Sequence, residues 1–149
     1  MAVGVVGERL LLTLWVGSLW AIGFIAVPLA FVHFDDPVIA GAFAGRLFTL
    51  VDYVGLACGT VLLLRYFLLG RDTITLWRFW VTFAMLALVA FLHFYLQAEM
   101  ADIKLADWRQ DTVLSARFDF LQHFSTGIYM VISVLGLALV ATQAPSSEN

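Results

Sequence analysis

The sequence predicts an all-α membrane protein, folded as an antiparallel bundle of four transmembrane helices. Of its 149 residues, 62% are hydrophobic and only 13% are charged, and the mean hydropathy is +0.95. These values lie far outside the range of soluble domains. The length leaves room for about four spans of roughly 20 residues with short connections. We therefore expect a single integral membrane domain over residues 1–149.

Charge and cysteine content exclude several classes of protein. The formal net charge of −3 is small and mixed in sign, so we expect the lipid bilayer as a partner and no binding to nucleic acid. The single cysteine, Cys58, lies in an apolar stretch and has no partner for an intrachain disulfide, which favours a packing role. Phosphate loops, nucleophile elbows and a nucleophile–base pair at a reactive spacing are all missing from the sequence, so an enzyme is not expected.

The first predicted span covers approximately residues 10–31 and carries no charge. Its apolar run is longer than the hydrophobic region of a signal peptide, so we expect a retained transmembrane helix. Pro28 lies near the far end of this span. A proline there removes a backbone donor and should bend the helix or free a carbonyl group.

The second predicted span, residues 41–69, is the helix around which we expect the others to pack. It has the small-xxx-small spacing that lets transmembrane backbones approach closely, in the pairs Gly41 with Gly45 and Gly55 with Gly59. Arg46 and Asp52 lie in the same run. A charge at the centre of a membrane helix costs at least about 2.5–3.5 kcal/mol unless it is paired or hydrated. Any function is therefore expected near these two residues.

The third and fourth predicted spans cover approximately residues 79–98 and 120–141. Scattered apolar residues in the polar segment between them, residues 99–117, indicate helical extensions lying at the membrane interface. Four spans place both termini on the side of the short loop between Arg65 and Arg78. Because arginines close to span ends favour the cytoplasmic side, both termini are predicted to be cytoplasmic.

The depth of the polar residues can be calculated from helix geometry. With Arg65 and Arg78 as markers of one membrane face, a rise of about 1.5 Å per residue places Asp52 roughly 20 Å and His93 roughly 22 Å from that face. These two residues therefore share a level about two-thirds of the way across. The same arithmetic places three more polar residues near or just beyond the opposite boundary, namely Arg46, His123 and His33.

Helical spacing groups these residues further. His93, Gln97 and Met100 recur at positions i, i+4 and i+7, so they share one face of the third span. In the fourth span, Asp119 lies one turn before His123 and could accept its imidazole N–H, as the carboxylate partners of metal-binding histidines do. The sequence thus predicts a polar pocket that opens towards the loop side.

Three hypotheses for the function follow from this pattern. In the first, the pocket binds or helps to move a small ligand, most plausibly a transition-metal ion such as copper, since imidazole, thioether and carboxylate groups suit late transition metals. His93 and His123 would be metal ligands, with His33 and Met100 as entry ligands. Asp119 would orient the ligands, and Arg46 with Asp52 would be a gate or charge pair. Two further groups would orient the ligands or gate the pocket, namely Gln97 and Ser125.

The other two hypotheses come from different classes of protein. A structural or assembly subunit would pack against other membrane proteins, or self-associate through the second span, by its glycine faces. A redox protein would bind haem between two histidines on facing helices, or a quinone. The sequence alone does not decide among the three.

Short motifs carry a resemblance to a known family. They are LWVGSLW at residues 14–20, GRLF at residues 45–48 and FLQHFS at residues 120–125. In these stretches the chain resembles the transmembrane-protein-205-like family, small four-span membrane domains of unknown function. The first stretch is also similar to the start of copper-resistance-protein-D-like membrane domains. The resemblance covers roughly residues 10–136 and implies a membrane location without an established reaction.

The resemblance also implies which positions correspond to the family pattern. Arg46 would be the basic residue of the second span, and His123, with Ser125 two residues later, would open the last span. Two residues depart from the pattern. Phe124 stands where a glycine is expected, and Asp52 stands where an aromatic residue is more usual. Any pairing of Asp52 would therefore be a feature of this chain and not a family mechanism.

Overall fold

Four long helices make up the computed structural model, which describes residues 2–69, 73–106 and 110–142. Within these residues there is no β-strand. Four helical stretches are long and apolar enough to cross a membrane: Val6–His33, Pro37–Leu68, Trp77–Leu105 and Thr112–Ala141. The predicted fold class, an all-α membrane protein with four spans, is confirmed.

The first span is longer than predicted and is interrupted by a π-helical segment. It consists of helix α1 (Ala2–Trp20), a π-helix (Ala21–Ala26) and helix α2 (Val27–His33). Pro28 lies in the first turn of α2, and just before it the Val27 N–H donates to the Ile22 carbonyl, five residues back. A π-helix that was not predicted thus precedes the proline, while the bend or freed carbonyl expected at Pro28 stays a prediction.

The remaining spans also extend beyond their predicted ends. The second span is helix α3 (Pro37–Leu69). The third is helix α4 (Thr73–Phe91), a π-helix (Leu92–Leu96) and helix α5 (Gln97–Leu105), and the fourth is helix α6 (Thr112–Ala141). The polar segment thus contains helical extensions, as predicted, and their position at the membrane interface stays a prediction. Asp111 caps α6, since its Oδ1 accepts the Val113 N–H at 2.9 Å, a typical N-cap arrangement.

The spans pack in a ring in which successive spans are neighbours and the fourth contacts the first. Large side chains without exposed surface fill the centre, among them Trp15, Leu62, Met85 and Ile132. The outer surface is equally apolar, and Val32 and Phe67 are 83% and 78% exposed. An apolar exterior of this kind matches a hydrocarbon environment, in which every backbone group must be bonded within the helices.

A polar cluster around Glu8 joins all four spans at one end of the bundle. Arg65 Nη1 lies 2.7 Å from Glu8 Oε2, and Arg78 Nη2 lies 2.9 Å from Glu8 Oε1. The Tyr66 hydroxyl donates to Glu8 Oε1 at 2.7 Å, and Arg78 Nη1 donates to the Leu139 carbonyl at 3.2 Å. Arg65 and Arg78 therefore lie at one level, as the depth calculation assumes.

The two glycine pairs of α3 have different surroundings. A Cβ atom on Gly55 would lie 2.6 Å from Trp15 Nε1, and one on Gly59 would lie 2.8 Å from Leu86 Cδ1. At Gly41 and Gly45, a Cβ atom would meet nothing within 4 Å. The deeper pair thus packs against other spans of the same chain, whereas the pair near the start of α3 faces open space.

Candidate functional site

The buried carboxylate of Asp52 is the centre of a polar cluster between the second and third spans. Asp52, near the middle of α3, is only 5% exposed. Gln97 Nε2 donates to Asp52 Oδ2 at 2.6 Å, and His93 Nδ1 lies 3.3 Å from the same oxygen. The depth calculation places Asp52 and His93 at one level, and the structure brings their side chains into contact.

Local backbone structure positions the two partners of Asp52. His93 lies in the π-helical segment, and Gln97 is the first residue of α5. The Gln97 N–H donates to the Leu92 carbonyl, five residues back, so an additional residue is accommodated in this turn. Single π-turns inside helices are frequent at functional sites. Leu92 and Leu96 in the same segment are buried, which anchors it against the core.

Thr49 fixes the orientation of the Gln97 amide. The Thr49 hydroxyl lies 3.0 Å from Gln97 Oε1 and 2.9 Å from the Gly45 carbonyl, so its single proton is shared between two acceptors. The amide oxygen of Gln97 faces this hydroxyl, and its NH₂ group therefore faces Asp52. A donor is thus held in place beside the carboxylate.

The His93 ring lies at the outer edge of the cluster. It makes edge contacts with the rings of Tyr53 and Phe94, at centroid distances of 4.8 and 5.0 Å. Both aromatic side chains are exposed on the surface of the bundle. When the Nδ1–H of His93 is donated to Asp52, the lone pair of Nε2 is free to accept a proton or bind a cation.

His123 is not part of this cluster. Its Nδ1 lies 2.7 Å from the main-chain carbonyl oxygen of Asp119, so the prediction that the Asp119 carboxylate accepts this N–H is wrong. The carbonyl four residues back lies directly beneath a helical side chain, whereas the Asp119 side chain is exposed. His123 lines a groove that includes Leu88 of the third span.

The other predicted pocket residues are dispersed. His33 ends α2, is exposed and contacts the Phe34 ring. Met100 packs against the hydrophobic core. Ser125 is half-buried in α6.

Arg46 and Asp52 do not form the predicted charge pair. Arg46 is exposed, and the ion-pair partner of Asp52 in the described chain is His93. Six residues of α-helix turn the chain by about 600°, so the two side chains point about 120° apart around α3.

The predicted ligand set is therefore not assembled. Within the described ranges, no group of three or more His, Cys, Asp or Glu side chains is placed to hold a metal ion. The paired-histidine arrangement needed for haem is likewise not formed, because His93 faces the second span and His123 lies on a groove between the third and fourth.

Two features of the polar structure are not predicted from the sequence. The part played by Thr49 could have been inferred, since it lies one turn before Asp52 on the same face of the helix. The Glu8 cluster could also have been found, because Glu8 lies just before the first predicted span, on the side of the bundle where Arg65 and Arg78 are predicted. In both cases the signal is a polar residue at a matching depth.

The fold and the buried cluster define a small multi-pass membrane protein with an ionisable centre inside the bundle. The chain belongs to the family described as a domain of unknown function (DUF4149), whose model matches residues 10–108. No curated protein and no solved structure matches the chain. The matched range includes Asp52, His93 and Gln97 and ends before α6. The finer likenesses, to transmembrane-protein-205-like and copper-resistance-protein-D-like domains, stay predictions.

Proposed function

We propose that this protein binds a small cation inside the membrane at the cluster of Asp52, His93 and Gln97. The observation that carries the proposal is the Asp52 carboxylate, 5% exposed and held between two spans by an imidazole and an amide. Ionisable residues inside transmembrane segments are rare, costly and typical of ion pathways, proton relays and ligand sites. The role is binding, and no catalytic step is proposed.

The energetics favour a functional role over a purely structural one. A hydrogen bond between membrane helices contributes only about 0.6 kcal/mol on average, whereas a charged side chain at the membrane centre costs at least about 2.5–3.5 kcal/mol. Two uncharged side chains, such as an amide and a hydroxyl, could form a hydrogen bond between the second and third spans without the free-energy cost of a charge in the membrane. What Asp52 and His93 add is the capacity to take up and release a positive charge.

A proton is the simplest cation for this cluster, because each of Asp52 and His93 can bind one and the two share a hydrogen-bonding contact. A transition-metal ion such as copper is the narrower version of the proposal. It would use His93 Nε2, the ring nitrogen that faces away from Asp52, and it would need further ligands to complete the coordination that such ions adopt.

Infrared difference spectroscopy of the protein in lipid nanodiscs tests the proton version. When the pH is changed, we expect a carboxylic acid C=O band from a group shielded from water. The band should disappear in Asp52→Asn and shift in His93→Gln, which removes the imidazole. Asp119→Asn is the matched control, because Asp119 is exposed. A band that persists unchanged in Asp52→Asn would overturn the proposal.

Elemental analysis after copper loading separates the two versions. Near-stoichiometric copper in the parent protein, lost in His93→Ala and retained in His33→Ala, would select the metal ion. A copper-free protein that still shows the Asp52 band would select the proton. Retention of copper in both variants would place the metal elsewhere and contradict the metal version.

A second candidate, the assembly subunit, is favoured by the open glycine pair. A Cβ atom on Gly41 or Gly45 would meet nothing within 4 Å, and small-xxx-small pairs are the usual contact of transmembrane helix dimers. Self-association through α3 would be measured by energy transfer between labelled copies in liposomes. Gly41→Leu/Gly45→Leu should abolish the transfer, while Gly127→Leu, at another open glycine, should not. No transfer in the parent protein would remove this candidate.

A further inference from the structure

The interior face of α3 connects the Asp52 cluster with the Glu8 cluster at the end of the bundle. The residues of this face recur at intervals of three and four and are all buried, namely Asp52, Gly55, Gly59, Leu62 and Tyr66. The Tyr66 hydroxyl donates to Glu8 Oε1 at 2.7 Å. The rise per residue separates Asp52 from Tyr66 by about 21 Å along the helix. Two ionisable clusters thus lie at the two ends of one buried helix face.

The indole ring of Trp15 lies against the two glycines of this face. A Cβ atom on Gly55 would lie 2.6 Å from Trp15 Nε1, and one on Gly59 would lie 3.0 Å from Trp15 Cη2. The N–H end of the ring is therefore the end nearer to Asp52, which lies one helical turn from Gly55. Trp15 Nε1 is buried and has no hydrogen-bond partner among the described residues. A donor without an acceptor thus lies about one turn from the buried carboxylate.

Thr82 carries a second buried polar group, on the other side of the indole ring. It lies in α4 halfway between Leu86 and Arg78, four residues from each and on the same side of the helix. Leu86 lies beside Gly59 of the interior face, whereas Arg78 belongs to the Glu8 cluster. The Thr82 hydroxyl is therefore at a level between the indole ring and that cluster. It has no exposed surface, and its oxygen has no hydrogen-bond partner in the described part of the chain.

Other polar groups of the bundle interior already have partners. His93 contacts Asp52 itself. In the fourth span, the Tyr129 hydroxyl donates to the Leu19 carbonyl, and the Ser133 hydroxyl donates to the Tyr129 carbonyl at 2.9 Å. Buried polar groups in native proteins are nearly always bonded to protein or to water. Two unbonded groups in a row between two ionisable clusters therefore indicate hydrogen bonding to water.

We propose that Asp52 exchanges its proton with the Glu8 end of the bundle through water that enters along the interior face of α3. The inference rests on the proposed function, since it supplies the route for the proton held at Asp52. Trp15 Nε1 donates to water beside Asp52, and the Thr82 hydroxyl passes a proton on because it can both donate and accept. Each transfer breaks one O–H bond and forms the next, and the proton ends in the water beyond the Glu8 cluster.

The Trp15 ring is the gate of this route. Gly55 and Gly59 have no side chains, so the ring fills the space beside them and separates the Asp52 cluster from the Thr82 hydroxyl. Apolar constrictions in channels exclude water and thereby limit conduction. The entry of water past the ring should therefore limit the rate at which Asp52 gains and loses its proton.

Time-resolved infrared spectroscopy after a light-triggered pH jump tests the route, because it follows the rate at which the Asp52 C=O band responds in nanodiscs. Thr82→Val keeps the shape of the side chain and removes its hydroxyl. The response should become about three- to ten-fold slower, as expected for the loss of one hydrogen bond. Thr82→Ser should restore the parent rate. Ser133→Ala is the matched control, because its buried hydroxyl already has a partner, and it should leave the rate unchanged.

Removal of the gate should have the opposite effect. Trp15→Ala opens the space beside Gly55 and Gly59 to water, so the response should become several-fold faster. A slower response in both Trp15→Ala and Thr82→Val would indicate a general loss of packing and contradict the gate. Because Thr82→Val preserves the packing, it tests the route even where Trp15→Ala does not fold.

The rates also separate the route from the site. An Asp52 band that responds at the parent rate in Thr82→Val would overturn the route and leave the proposed function standing. The absence of an Asp52 band in the parent protein would overturn both.

Discussion

The buried guanidinium group of Arg78 depends on the carboxylate of Glu8 for its counter-charge. It is only 7% exposed, and its guanidinium group contacts Glu8 and the Leu139 carbonyl. The sequence predicts Arg78 as a marker of the membrane face but does not link it to Glu8. Its pairing follows from burial, because a guanidinium group that is mostly removed from water needs a counter-charge and acceptors for its N–H groups.

Substitution of Glu8 should therefore destabilise the protein strongly. Glu8→Gln keeps the shape of the side chain and removes the charge shared by Arg65 and Arg78. The free energy of unfolding should fall by about 2–4 kcal/mol, because a largely buried charge is left without its partner. The value would be measured by denaturant unfolding in detergent micelles.

The pair Glu99 and Arg117 provides the control at the same scale. These side chains also form an ion pair, but 59% of the Arg117 side chain is exposed. Exposed pairs contribute about 0–1 kcal/mol, so Glu99→Gln should have little effect on unfolding. Equal effects of Glu8→Gln and Glu99→Gln would show that the Glu8 cluster contributes no more than a surface pair.

At the scale of the helices, α3 shows why equal sequence spacing does not imply equal packing. Gly41 with Gly45 and Gly55 with Gly59 have the same small-xxx-small pattern, yet only the second pair faces neighbouring spans. The pattern identifies a helix face that can be approached closely. Whether a neighbour approaches it depends on a residue far away in the sequence, in this case Trp15.

Replacing Gly55 with alanine should destabilise the protein, because Trp15 packs closely against this glycine. A new Cβ atom would lie 2.6 Å from Trp15 Nε1, and the indole ring has no exposed surface into which it could move. Overpacking of this kind costs about 1–3 kcal/mol. Gly41→Ala should instead be neutral, or stabilising by up to about 1 kcal/mol, through its higher helix propensity.

The same detergent unfolding assay compares the two alanine variants. In a Trp15→Leu background, Gly55→Ala should lower the free energy of unfolding by less than it does in the parent protein, since the smaller side chain leaves room for the new methyl group. If Gly55→Ala and Gly41→Ala have the same stability, the close contact with Trp15 does not determine the packing of α3.

At the scale of the whole molecule, the sequence predicts how deep a residue lies in the membrane better than it predicts which neighbouring helix the side chain faces. Hydropathy predicts four spans, and the rise per residue places Asp52 and His93 at one level, where their side chains meet. The same arithmetic cannot tell which neighbour a side chain faces, because that depends on the rotation of each helix about its axis. For this reason the calculation did not anticipate that His93 contacts the second span while His123 lines a groove between the third and fourth spans.

The orientation of the whole bundle across the membrane can also be predicted from the sequence. Four antiparallel spans put Asp35 and Thr142, both exposed, at opposite faces, and the arginine pattern predicts that Thr142 is cytoplasmic. In a Cys58→Ala background, a membrane-impermeant maleimide added to intact cells should label Asp35→Cys. It should label Thr142→Cys only after permeabilisation. The reverse pattern would invert the orientation, and labelling of both variants from one side would contradict an arrangement of four antiparallel spans.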